Sequence, residues 1–180
     1  MNKLENYQTK YIPTLINLGN HSVLAIIALI AIGSATRVME AGLACPDWPL
    51  CYGTFLPLGH MNMRVFLEWF HRLDAFLVGI LILVQFSLSI IWRRFLPKGL
   101  IKIYSFLLFL VVFQGSLGAL TVINTLASYA VISHLLIAFS LLITATYIIQ
   151  SLQNESSINS KFWWRFLLCI PLILTLIQLS

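Results

Sequence analysis

Charge is what this chain lacks most. Its 180 residues include 11 Lys or Arg and 6 Asp or Glu, 9% of the total, against 59% hydrophobic residues. The mean hydropathy of +0.91 lies far above that of a soluble domain and excludes a water-soluble globule. The net charge of +5 does not make a nucleic-acid surface, because the basic residues fall between apolar runs, where they report membrane orientation. The first ten residues, MNKLENYQTK, are too polar for a secretory signal, and no Arg- and Ser-rich transit segment precedes the first apolar run. Cysteine is scarce as well: there are 3, none in the tight Cys-x2-Cys spacing of a zinc site.

What the chain has instead is apolar runs of bilayer-spanning length, ~20 residues. Five are read, at 20–38, 66–92, 100–123, 127–151 and 162–180. Each is expected to be helical, because a helix satisfies its own backbone hydrogen bonds in lipid. The expected fold is therefore all-α, a polytopic membrane helix bundle. It comprises a cytoplasmic segment 1–19, a four-helix half over 20–151 with an outer loop at 39–65, a cytoplasmic linker 152–161 and a fifth helix 162–180. The fifth run stops without a polar flank, as a truncated product would. Lys3 and Lys10, then Arg93, Arg94, Lys98 and Lys102, then Lys161 and Arg165 share one face if the N-terminus is cytoplasmic. The expected location is the bacterial inner membrane, crossed several times, rather than the mitochondrial inner membrane.

The outer loop contains AGLACPDWPLCYG (41–53). Pro46 and Pro49 favour a bend that can bring Cys45 and Cys51 within disulfide range, ~4.4–6.8 Å between Cα atoms. A disulfide staple, structural or labile, is the favoured reading on an outer face that permits oxidation. Zinc is weaker, since His60 adds only a third ligand, and catalytic thiol exchange is usually built on a closer pair. Cys169, inside the fifth run, reads as an apolar filler.

Polar residues within spans are costly and tend to be functional. LEWFHRLDA opens the second span with Glu68, His71, Arg72 and Asp74, and AVISHLLIA in the fourth contains His134. Both spans run inward from the outer face. The two histidines therefore lie at similar depth, roughly 7–10 Å in at 1.5 Å per residue. Two imidazoles on parallel helices can ligate one iron from opposite sides. The alternative is two hydrogen-bonded polar residues at helix interfaces. Glu68, His71 and Arg72 crowd one helical face, where a carboxylate suits proton transfer or the steering of an imidazole; a Glu68–Arg72 helix pair is the plainer reading. Asp74 lies deeper and has no assigned partner. Arg37, ending the first span, can meet a propionate or phosphate, or simply snorkel. In QGSLGALTV, Gln114 is the deep polar residue, while Gly115, Gly118 and Ala119 allow a helix or a flat macrocycle to approach. His21 and His60 receive no role.

The fragments GSATRVMEAGLACPDWPLCYG (33–53), EWFHR (68–72), QGSLGALTV (114–122) and SHLLIA (133–138) together resemble the heme A synthase family. Their order and spacing carry the resemblance over most of residues 20–150. It implies kinship with eight-helix proteins of two four-helix halves that oxidise a methyl of heme O to the formyl of heme A for terminal oxidases. The route implied is repeated hydroxylation with loss of water. It further implies that Glu68 is the essential carboxylate, that His71 and His134 hold the heme iron of the substrate-binding half, and that Cys45 and Cys51 are the outer-loop pair. Arg37, Arg72 and Gln114 join as candidate cofactor contacts. A heme b cofactor belongs to the family's second half, and its site is absent from this chain. The C-terminal LILTLIQLS echoes LFLVVFQGSLG (108–118), as the start of a second repeat would.

The expected function is thus that of a heme A synthase-like membrane oxidoreductase, in a truncated form. Expected partners are heme O, membrane lipid, and a second copy, a C-terminal-half partner or a heme O synthase; nucleic acid is not among them. Two other readings stay open: a non-catalytic bis-histidine b-type cytochrome, and a membrane thiol oxidase using Cys45 and Cys51.

Overall fold

A computed structural model of the chain describes residues 3–155, with side chains over 10–153. The fifth helix expected at 162–180, with Cys169, lies outside the described residues. Those residues form four long helices: α1 (Lys3–Val38), α2 (Met63–Ile91), α3 (Leu100–Ile123) and α4 (Ser128–Glu155). All four are long and apolar enough to cross a membrane. The fold is an all-α polytopic membrane bundle.

Local chemistry sets the helix ends. Asn62 caps α2: its side-chain oxygen accepts from the Arg64 and Val65 amides at 3.0 and 3.1 Å. The outer loop therefore closes at 62, three residues before the boundary that hydropathy suggests. Gly99, at φ 89°, supplies the left-handed turn into α3. The largest difference is at α1, which is helical through most of the segment 1–19 expected to precede it. Ile12, Leu15 and Ile16 are buried there on one face, at helical spacing, among polar neighbours. An averaged hydropathy window hides such a stripe.

The helices pack in a ring: α1 touches α2 and α4, and α3 touches α2 and α4. Thus α2 and α4 stand diagonally across the centre. Up-and-down succession places the 39–62 loop and the 124–127 turn at one end. A Cβ added at Gly42 in the loop would lie 3.2 Å from Leu126 in the turn. At the other end, Tyr11 of α1 stacks on Trp92 and Phe95, with centroids 4.6 and 5.8 Å away.

The closely packed core occupies only part of this ring. Its last members toward the loop end are Ile30 on α1, Val78 on α2, Leu110 on α3 and Leu141 on α4. Lipid tails are as apolar as these side chains, so the core holds the helices by close packing more than by exclusion of water. Gln85 adds a polar tie, donating from Nε2 to Ser22 Oγ between α2 and α1. Beyond that level, across 31–37, 66–77, 111–123 and 131–140, no hydrophobic residue is fully buried. His71 lies seven residues before Val78, and His134 seven before Leu141. Both histidines therefore fall in this band outside the closely packed core, about 10 Å above its edge.

Candidate functional site

The first turns of α2 form a clasp for the 39–62 loop. Val65, Glu68 and Arg72 recur at helical spacing and face the loop together. Glu68 is 3% exposed. Its Oε2 accepts the Cys45 amide at 2.7 Å, and its Oε1 forms an ion pair with Arg72. Arg72 Nη1 donates to the carbonyls of Asp47 and Leu50, both at 2.6 Å, while Nη2 reaches the Cys45 carbonyl more weakly at 3.5 Å. The dyad thus grips Cys45 by both its N–H and its C=O. A carboxylate and a guanidinium this well hydrogen-bonded offset much of the cost of leaving water.

A disulfide joins Cys45 to Cys51, with Cα atoms 4.8 Å apart, and the pair packs on Val65 and Trp69. Asp47 closes the loop tip by accepting the amides of Tyr52 at 2.6 Å and Gly53 at 2.8 Å. These two residues have φ of 53° and 70°, a left-handed pair whose adjacent amides point at one anion. The Gly53 amide above all holds the Asp47 carboxyl below its ordinary value; desolvation, next in size, opposes it, and the Tyr52 amide, the backbone of Asp47 itself and the Arg72 charge add to the lowering. Trp69 ties the next segment down, donating from its indole to the Phe55 carbonyl at 2.6 Å.

The two histidines lie at the loop end of the bundle. His71 on α2 and His134 on α4 stand on diagonal helices, each seven residues from the core edge. Both Nδ1 atoms are buried without a hydrogen-bond partner. A buried, unpaired imidazole nitrogen is costly unless it meets a ligand. Gln114 Oε1 on α3 and Asp74 Oδ2 on α2 are likewise buried without a partner, as are Asn20 Oδ1 and the Tyr104 hydroxyl deeper in the bundle.

The other candidates divide. Arg37 is exposed at the loop end of α1. Arg72, expected as a cofactor contact, commits its terminal nitrogens to Glu68 and the loop. Glu68, expected as a catalytic carboxylate, has both oxygens engaged. His60 stacks on Tyr52 at 4.0 Å in the loop, and His21 bonds its own helix at Asn17. Among the described residues no group of three or more His, Cys, Asp or Glu could hold a metal, so the loop builds no zinc site. Sequence reasoning did not anticipate the Asp47 turn or the Arg72 contacts to backbone carbonyls. Aspartate six residues before a glycine at a loop tip was the one available signal for the turn.

Known proteins resemble this chain in sequence. The sequence profile of the cytochrome oxidase assembly protein family (COX15-CtaA) matches residues 18–180. A heme A synthase of Shewanella oneidensis is 37% identical over 134 residues, covering 64% of this chain and 39% of that protein. A heme A synthase of Bradyrhizobium diazoefficiens is 27% identical over 192 residues, covering 88% of this chain and 53% of that protein. A protoheme IX farnesyltransferase of Haloarcula marismortui is 30% identical over 81 residues, 45% of this chain and 16% of that protein. The chain spans between about two fifths and one half of the length of the two heme A synthases. No solved structure matches it. Because the family match takes in the clasped loop, both histidines and most of the chain, this protein belongs to the cytochrome oxidase assembly protein family.

Proposed function

We propose that this chain is the substrate-binding half of a heme A synthase-like oxidoreductase, acting on heme O in the bacterial inner membrane with its N-terminus cytoplasmic. One observation carries the reading. His71 and His134 stand on diagonal helices at matched depth, each with a buried Nδ1 that lacks a partner, beyond the edge of the apolar core.

The residues fit a porphyrin iron. Two imidazoles at one depth on separate helices suit an iron-bound porphyrin, and the residues around them include no fully buried apolar side chain. His71 and His134 would hold the iron. Bound there, heme O would be the substrate whose methyl is oxidised to the formyl, with the electrons leaving to an acceptor outside this chain. The protein's own residues bind and orient. Glu68 and Arg72 keep the disulfide loop seated over the band, which limits the access of water from the loop end. Gln114 lies at the histidine level as a polar contact, and Arg37 at the rim suits a propionate. The heme b site, the electron acceptor and the rest of the catalytic machinery would come from a second copy or a C-terminal-half partner. The likeness to a protoheme IX farnesyltransferase is in keeping with a heme O synthase as the upstream partner.

Pigment extraction tests this directly. A host making heme O, expressing this chain with such a partner, should accumulate a formyl heme, and His71→Ala or His134→Ala should abolish it. Bis-histidine heme in the purified protein without any formyl product would favour the electron-transfer cytochrome instead.

A further inference from the structure

We propose that Gly33 on α1 and Gly118 on α3 are positioning residues, each a backbone seat for one imidazole. The proposal rests on the heme reading above. A Cβ added at Gly33 would lie 2.9 Å from His71 Cε1, with Nδ1 and Nε2 at 3.5 and 3.6 Å. A Cβ at Gly118 would lie 3.4 Å from His134 Cε1 and 3.9 Å from Nδ1. In each antiparallel pair the first helix contributes the glycine and the second the histidine: α1 seats the ring of α2, and α3 seats the ring of α4. Each ring presents its Cε1 edge to bare backbone, and that edge lies between its two nitrogens.

The seat does what hydrogen bonds do for many metal-bound histidines. Nδ1 has no partner on either ring, while the backbone of Leu29 on α1 and of Gln114 on α3 lies near the His71 and His134 rings. Steric contact with the same neighbouring helix adds a second restraint on ring rotation. The two seats differ in tightness. Carbon atoms in good contact sit ~3.5–4.0 Å apart, so alanine at 33 must push the His71 ring away by roughly half an ångström or more. Alanine at 118 is nearly accommodated. Gly115, one turn earlier on α3, has nothing within 4 Å of its added Cβ and serves as an internal control. Alanine is the better helix former at all three positions, so each variant retains its helix.

The test is hemin titration of the detergent-solubilised protein, read by visible spectroscopy and by electron paramagnetic resonance of the ferric form. Gly33→Ala should weaken hemin binding about tenfold, the lower range for a residue that orients a metal ligand, and shift the low-spin signal. Gly118→Ala should shift it less, and Gly115→Ala not at all. Nitrogen-15 NMR of the histidine rings in the hemin-free protein adds an independent readout: Gly33→Ala should move the His71 signals and leave those of His134 unchanged. If wild type shows no bis-imidazole spectrum, the heme reading falls while the NMR arm still decides the seats. If wild type binds hemin but Gly33→Ala matches Gly115→Ala in spectrum and ring signals, the seats are refuted.

Discussion

Replacing Arg72 with methionine probes the clasp between α2 and the cysteine loop. The change keeps the length and apolar stem of the side chain and deletes the guanidinium. Glu68, whose side chain is 4% exposed, then loses its counter-charge, and the carbonyls of Cys45, Asp47 and Leu50 lose their donor. Removing one partner of a buried ion pair costs about 3–5 kcal/mol, because the survivor is left uncompensated. Arg72 itself is 15% exposed, so solvent screening trims this little. Glu68→Gln is the milder variant. It retains an acceptor for the Cys45 amide and leaves Arg72 on its carbonyls, at a cost of about 1–3 kcal/mol. The double variant should cost less than the sum of the two, by up to ~3 kcal/mol, since neither survivor is left as a lone charge. Denaturation in detergent micelles measures all three, with limited proteolysis reporting the loop. A cost below about 1 kcal/mol for Arg72→Met, or strict additivity in the double variant, would refute the clasp.

Other predictions follow from the same geometry. Cys45→Ser should cost roughly 2 kcal/mol, the entropy of closing a short loop, and leave activity reduced but measurable because Arg72 and Glu68 still hold the backbone; complete loss of activity with the fold intact would point to the thiol-oxidase reading. The Asp47 carboxyl is held below its ordinary value of 3.8, so its contribution to the loop is present above that pH and is lost as pH falls through the lower folded value. Hydrogen exchange at the Tyr52 and Gly53 amides should show protection vanishing in that acid window, and Asp47→Asn should remove the pH dependence. Constant protection through the window would mean that these amides are held by something else.

The spans were legible from composition because lipid imposes length and apolarity on any helix that crosses it. The expected run 100–123 coincides with α3 (Leu100–Ile123) and the first run ends with α1 at Val38; the other internal boundaries differ by a few residues, at the start of α2 because Asn62 caps it. The N-terminal turns of α1 escaped because their buried stripe is too narrow to raise an average. The depth of the histidines was legible for the opposite reason, since a polar ring inside an apolar run stands out along the sequence. Their equal depth followed from counting residues along two parallel helices.

Tertiary structure alone decided what surrounds them. The partners of Glu68 and Arg72 lie 22 to 27 residues earlier in the chain and are mostly backbone atoms, which carry no side-chain signature. That Gly33 and Gly118 face imidazoles and not one another depends on the rotation of each helix about its axis, and a missing Cβ leaves no chemical trace of what fills its place. Sequence by itself determined that this chain lives in a membrane and where its polar groups sit along each helix. Packing determined which of those groups meet, because depth is a property of one helix and contact is a property of two.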